Sequence, residues 1–201
     1  MKYKILENLI PVSMSKIIEY KLNNKLFAYN PSTINDNEYD KSDNNIIAGP
    51  QFVRPIFHSD GTAEDELFEA VAMPILWFLE EKTGIRVSEI HRIKINLMLP
   101  NNTSENNYAP PHYDINDDGW LSMVYYVNEA DGDTFIFDKN MFEGRDNLKV
   151  FGRSSPKQGN AVIFNSHQWH ASSNPINYEN RYIINFVFKP EPGTFESFMN
   201  E

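Results

Sequence analysis

His112 and Asp114, in the stretch PPHYDIND, stand two residues apart behind a pair of prolines. On an extended segment, period-2 geometry turns both side chains to one side and Tyr113 to the other. An imidazole and a carboxylate converging in this way supply two ligands for a metal ion. A third ligand from a distant strand would complete a facial triad with open coordination positions, the arrangement of non-haem Fe(II) oxygenases. By itself an H-x-D triplet is weak evidence, so the remaining ligand has to be sought elsewhere.

The segment NSHQWHA offers His167 and His170. His167 falls in the turn after the apolar run AVIFN. His170 opens the next extended stretch beside Ala171 and Ser172, whose small side chains leave room for a metal, and this favours His170. Arg181 follows across the loop 173–180 and begins the apolar run RYIINFVF. The spacing predicts a hairpin that brings His170 and Arg181 to one end of a pocket. A guanidinium at that depth requires a carboxylate, which it can grip with two donors. On WLSMVYYVN, alternation gives Ser122, Val124 and Tyr126 one face, so Ser122 and Tyr126 could hydrogen-bond a small acid held by Arg181. Trp120 and Trp169 lie near the proposed ligands, as core or as substrate contacts.

These residues need a frame. From residue 90 onward HRIKINLML, WLSMVYYVN, DTFIFD, NAVIFN and RYIINFVF are short β-branched and aromatic runs separated by turn-rich stretches, which suggests a sandwich or barrel. The first part of the chain, about 1–89, reads as mainly helical. A short strand at Lys4-Ile5-Leu6 precedes a helix capped by Ser13 and running to about Lys21. A longer helix over 63–82 is capped by Thr62, ended by Thr83-Gly84, and kinked or split by Pro74. The expected architecture is α+β: a jelly-roll body over about 90–189 with N-terminal helices packed on it, in one domain spanning 1–201. The Asn/Asp-rich stretch 30–50, the 100–111 segment and the 138–158 insertion read as surface loops able to serve as lids.

Composition narrows the class. The formal charge is −10 and no Lys/Arg-rich block appears, which argues against nucleic acid as the partner. No run approaches the length of a membrane span, and the N-terminus shows no signal-peptide pattern. Cysteine is absent, which excludes thiolate chemistry and disulfides and is compatible with a reducing cytoplasm.

The ordered set HYD at 112–114, YYVNEADGDTFIF at 125–137, PKQGNAVIF at 156–164, His170 and NRYIINFVF at 180–188 resembles the Fe(II)/2-oxoglutarate-dependent dioxygenases of the prolyl-4-hydroxylase-like group, especially phage-encoded and bacterial members. The similarity covers about residues 90–189. It implies a double-stranded β-helix of the jelly-roll or cupin-like kind, with His112, Asp114 and His170 as iron ligands. It further implies that Arg181 binds the far carboxylate of 2-oxoglutarate, with Tyr126 assisting. The cofactors would be Fe(II), 2-oxoglutarate as cosubstrate and O2. The reaction would hydroxylate a C–H bond, on a prolyl residue of a peptide or protein, with release of succinate and CO2. The setting would be the cytoplasm, that of the host for a phage protein. Two departures stand out: Asp131-Gly132-Asp133-Thr134 replaces the family's Gly-Gly-Glu-Thr turn, and PNNTSENNYAPP before the triad is longer and more polar than usual. Alternatives are the same chemistry on a nucleobase or free metabolite, and a cupin-like metal-binding protein without oxygenase activity; only the oxygenase requires a buried Arg181.

Overall fold

Alternation along the β-rich half decides the architecture. In the strand β10 (Arg181–Pro190), Tyr182, Ile184, Phe186 and Phe188 share one face, while Arg181, Ile183, Asn185 and Val187 share the other. The computed structural model describes residues 3–31, 43–47, 49–101 and 104–200. Within it, the face of Tyr182 packs under helices and the face of Arg181 borders the space between two sheets.

The wider sheet has seven strands in the order β1-β8-β5-β10-β4-β3-β2. Its members are β1 (Tyr3–Leu6), β2 (Ala28–Asn30), β3 (Gln51–Phe57), β4 (Val87–Met98), β5 (Leu121–Tyr126), β8 (Ala161–Asn165) and β10. The narrower sheet has the order β7-β6-β9, built from β6 (Thr134–Asn140), β7 (Val150–Ser154) and β9 (Gln168–Ser172). All pairings between these strands are antiparallel. The chain is therefore α+β, with a jelly-roll core of the double-stranded β-helix kind and helices packed on one face.

Those helices are α1 (Val12–Asn23) and a long segment formed by α2 (Asp65–Leu67), a π turn over Phe68–Ala72, and α3 (Met73–Thr83). Ile18 and Leu22 of α1 and Ile75 and Leu79 of α3 join Ile93, Ile95, Met123, Ile163, Ile184 and Phe186 of the wide sheet in the main core. Burying each such side chain contributes about 1.5–3 kcal/mol, so this layer fixes the sheet that carries the site. A short C-terminal helix, α4 (Thr194–Asn200), adds Phe195 to the same core.

The long helix departs from expectation at its start and is split at Pro74 as expected. It begins at Asp65, because Thr62 turns its backbone N–H and hydroxyl onto the Asp60 carboxylate at 2.9 and 2.7 Å. Pro74 splits the helix without ending it. Its ring has no N–H to donate and would crowd the carbonyl four residues back, and the π turn just before it widens the helix there. Gly84, left-handed at φ 71°, closes the segment as predicted. Pro11, not Ser13, occupies the N-cap position of α1, with no side-chain cap.

The N-terminal part contributes strands as well as helices, since β1 pairs with β8 and β3 pairs with β4. Within the 30–50 stretch, residues 32–42 and 48 lie outside the described residues, as do 102 and 103 of the 100–111 segment. What is described of the first stretch is tied down: Ile46 bridges Tyr108, and Ile47 N–H donates to the Tyr108 carbonyl at 2.9 Å.

Candidate active site

His112 joins the narrow sheet by a single antiparallel bridge to His170 of β9, with N–H···O contacts of 2.9 and 2.8 Å in the two directions. That bridge brings the imidazoles together with centroids 4.3 Å apart and planes tilted by 48°. Asp114 follows, its backbone N–H donating to the Ser166 carbonyl at 2.9 Å. The donor atoms of His112, Asp114 and His170 all lie within 4.8 Å of one another. Tyr113 points away, edge-on to Trp169 at 5.2 Å on the outer side of the narrow sheet.

Each member of the trio is oriented from behind. His170 Nδ1 lies 2.9 Å from the Gln168 carbonyl, which makes Nδ1 the protonated nitrogen and leaves the Nε2 lone pair free. Nε2 sits 3.6 Å from Asp114 Oδ2. Asp114 Oδ1 accepts from Arg92 Nη2 at 2.7 Å, and Oδ2 accepts from Ser122 Oγ at 2.6 Å and Asn185 Nδ2 at 3.3 Å. Ser166 Oγ lies 3.0 Å from Ser122 Oγ and fixes that hydroxyl in turn.

Burial keeps the imidazoles neutral. It pushes His112 down to about 3, assisted by the nearby His170, and it lowers His170 as well. Burial would raise the Asp114 carboxyl, but His170, the Arg92 guanidinium and His112 hold it well below the usual carboxylate range. Two neutral imidazoles and one carboxylate are the protonation states a divalent metal needs in its ligands. His112 Nδ1 is buried with no hydrogen-bond partner. Such an orphan is costly in a closed apolar site, and the donor set fits Fe(II).

Further along the same inner face stands Arg181, fully buried at 0% exposure. Its Nη2 donates to Thr134 Oγ1 at 2.8 Å, and its guanidinium lies 5.8 Å from the Tyr126 ring centroid. Nε and Nη1 have no partner. Burial lowers its pKa to about 10, so it stays charged at neutral pH. The Tyr126 hydroxyl donates to the Ser154 carbonyl at 3.0 Å and lies 3.0 Å from Thr134 Oγ1. Val124, Ile136, Val162, Phe164 and Ile183 form an apolar cluster with the Tyr126 ring on the two inner faces. Arg181 and Asn185 are four residues apart on one strand face, about 13 Å between Cα atoms.

Several expectations need revision. His170 and Arg181 do not share a hairpin: β9 pairs with β6 in the narrow sheet, and β10 pairs with β4 and β5 in the wide one. The loop between them crosses from the narrow sheet to the wide one. Ser122 is turned to Asp114 and not to Arg181. His167 stands outside the trio, with Nδ1 3.4 Å from Asp118 Oδ1 and its ring against Phe142. Trp120 and Trp169 are buried at 6% and 8% exposure, which leaves them as packing residues. Within the 138–158 insertion, residues 150–154 are the strand β7.

Arg92, Thr134, Asn185 and Gly132 escaped sequence reasoning. A Cβ on Gly132 would meet the Ser173 carbonyl oxygen at 2.5 Å and Arg181 Cδ at 2.9 Å, so only glycine lets this turn lie over the arginine. The Asp-Gly-Asp-Thr departure thus keeps both residues that touch Arg181. A signal for Arg92 and Asn185 was present: each is a polar residue on one alternating face of an apolar strand.

Residues 98–189 match the family model of the 2OG-Fe(II) oxygenase superfamily. That segment belongs to the 2OG-Fe(II) oxygenase superfamily. No curated protein sequence matches the chain. Among solved structures, the oxygenase is similar to an oxidoreductase of the 2OG-Fe(II) oxygenase family from Burkholderia pseudomallei, with 17% identity, TM-score 0.60, and coverage of 93% of this chain and 85% of that one. It is also similar to a prolyl-4-hydroxylase from Pseudomonas putida (14%, TM-score 0.54, 93% and 91%). A third is the non-heme alpha ketoglutarate dependent epimerase SnoN from nogalamycin biosynthesis (11%, TM-score 0.59, 93% and 78%). At these identities the structures establish the shared fold. Fold and triad geometry together make this oxygenase an enzyme of the 2-oxoglutarate-dependent dioxygenase type. No helix among the described residues is long and apolar enough to cross a membrane.

Proposed function

We propose that the chain, acting as one domain over 1–201 in the cytoplasm, hydroxylates a C–H bond on a prolyl residue of a peptide or protein, using Fe(II), 2-oxoglutarate and O2. The observation that carries the cosubstrate is Arg181: a fully buried guanidinium with two unpartnered nitrogens, on the same inner wall as Asn185, which touches the triad carboxylate. A metal-binding jelly roll without such a cosubstrate has no use for that cation. The choice of a prolyl residue rests on the sequence resemblance and on the prolyl-4-hydroxylase among the similar structures.

His112, Asp114 and His170 would hold the iron, and Arg92, Ser122 and Gln168 set the ligands' orientation and protonation. Arg181 would bind the far carboxylate of 2-oxoglutarate, with the Thr134 hydroxyl fixing the guanidinium and the Tyr126 hydroxyl fixing Thr134. The bound iron supplies the oxidising chemistry, in which the keto acid is decarboxylated to succinate and CO2 and one oxygen atom of O2 enters the substrate C–H bond. The protein's part is orientation and exclusion of water: the apolar cluster of Val124, Val162, Phe164 and Ile183 keeps the chamber dry.

The test is succinate release from 2-oxoglutarate by the purified chain with Fe(II) in air, on proline-containing peptides. Wild type should release succinate, His112→Ala and Arg181→Ala should not, and hydroxyproline should accumulate in stoichiometric amount. Succinate release stimulated by a non-prolyl substrate would move the reading to another C–H donor. Failure to bind both Fe(II) and 2-oxoglutarate would remove it.

A further inference from the structure

A separate cavity, of 250 Å3, opens on the wide sheet beside the triad, framed by β3 and β4. Alternation along β4 turns Arg92 and Lys94 to the same side, and both line this space with Gln51, Val53 and Phe57 of β3. The register sets Lys94 directly opposite Asn185, whose amide touches Asp114, and opposite Pro55 on its other flank. The cavity therefore begins where the metal ligands end.

Its charge is unusual for this chain. Net charge is −10, yet among the described residues no acidic side chain lines the cavity and two cations do. Among the described residues, Lys94 makes no hydrogen bond and no ion pair. Arg92 gives Nη2 to Asp114 and keeps Nε buried without a partner. Burial and the neighbouring Arg92 push the Lys94 ammonium down to about 8, with Asp114 opposing, so it remains largely protonated at neutral pH. Arg92 has Asp114 as its counter-ion, whereas Lys94 has none in contact among the described residues; a desolvated cation in that state is costly, and a bound anion removes that cost.

We infer that this cavity receives a carboxylate carried by the substrate, gripped by Lys94 with Arg92 as the second cation. This rests on the oxygenase reading above and narrows its substrate to one with an acidic group next to the C–H bond that reacts. The volume equals about eight waters at liquid density, enough for an acidic side chain or a small free acid and too little for a nucleotide. A carboxylate here is distinct from the one at Arg181, which stands four residues along the inner face of β10 from Asn185, the partner of Lys94.

The full-length chain, loaded anaerobically with Fe(II) and 2-oxoglutarate, is titrated calorimetrically with blocked Gly-Glu-Pro-Gly against Gly-Gln-Pro-Gly, and with free L-glutamate against L-glutamine. The Glu peptide or the free acid should bind at least about tenfold more tightly than its neutral partner, the size of one charge-assisted contact. Lys94→Met should erase that difference, Lys94→Arg should keep most of it, and both should retain wild-type affinity for 2-oxoglutarate. Which pair discriminates tells a peptide acid from a free one. Absence of any charge discrimination, including no binding of any probe, overturns the inference. So does a Lys94→Met variant that loses 2-oxoglutarate or Fe(II) instead of the probe. The titrations repeated without iron separate the two readings, because a Glu preference can survive there even where Fe(II) and 2-oxoglutarate fail to bind.

Discussion

Replacing Arg181 by methionine should make the ligand-free protein more stable while abolishing its response to 2-oxoglutarate. The guanidinium is fully buried, and its Nε and Nη1 lack partners. Each unsatisfied buried donor costs about 1–3 kcal/mol. Against that stand one hydrogen bond to Thr134 and a contact with the Tyr126 ring, together worth about 2–4 kcal/mol. Methionine fills a similar volume and adds apolar burial beside Ile183. The net gain, in line with buried ions replaced by hydrophobes, is about 1–3 kcal/mol. For a chain of this size that raises Tm by about 2–12 °C. In wild type, 2-oxoglutarate at about a hundred times its Kd, with Fe(II) under anaerobic conditions, should add about 2.7 kcal/mol of stability. Arg181→Met should show none of this shift. Thermal unfolding of the two proteins, with and without 2-oxoglutarate, reads all four values. A ligand-free variant less stable than wild type would mean that Arg181 is a satisfied structural group. A retained 2-oxoglutarate shift would mean that the cosubstrate binds elsewhere.

Gly132→Ala forces a Cβ to within 2.5 Å of the Ser173 carbonyl oxygen and 2.9 Å of Arg181 Cδ, so the turn must shift. We expect a loss of about 1–3 kcal/mol in urea unfolding together with weaker 2-oxoglutarate binding in calorimetry; an unchanged affinity would mean the turn does not shape that site. Ser122→Ala removes the 2.6 Å hydrogen bond to Asp114 Oδ2 and should weaken metal affinity about 10–100-fold in a competition titration, leaving Arg181 untouched. The histidines set an acid limit. His112 is lowered from 6.5 to about 3, so below pH 6.5 the unfolded chain binds a proton that the fold refuses. The stability this contributes is complete above about 6.5 and is lost as pH falls towards 3. His112→Asn should flatten that slope in a pH series of metal-free unfolding, and an identical slope would place the acid sensitivity elsewhere.

The strands of the core were legible because their faces alternate: Tyr182, Ile184 and Phe186 against Ile183 and Asn185 predict one helix-covered and one inward face, and the structure has both. What spacing does not carry is which sheet a strand joins. His170 and Arg181 read as hairpin neighbours, but the chain crosses between sheets at the intervening loop, a choice made by long-range pairing with β6 and with β4 and β5. The short edge strands β2 and β7 left little trace: Tyr29, Val150 and Phe151 are exposed, so no apolar pattern marks them. Arg92 and Lys94 were visible in HRIKIN as polar residues alternating with Ile93 and Ile95. Their meaning needed the third dimension, because Asp114 reaches Arg92 only once β4 and the segment after Pro111 are folded together.

The most direct test of the proposed chemistry is a crystal structure of the protein grown anaerobically with Fe(II) and 2-oxoglutarate, the iron located by its anomalous scattering. The expected result is a single iron bonded to His112, Asp114 and His170, with the far carboxylate of 2-oxoglutarate on Arg181 and Lys94 still free of it. An iron bonded elsewhere, or a cosubstrate carboxylate resting on Lys94 with Arg181 left unpaired, would contradict that chemistry.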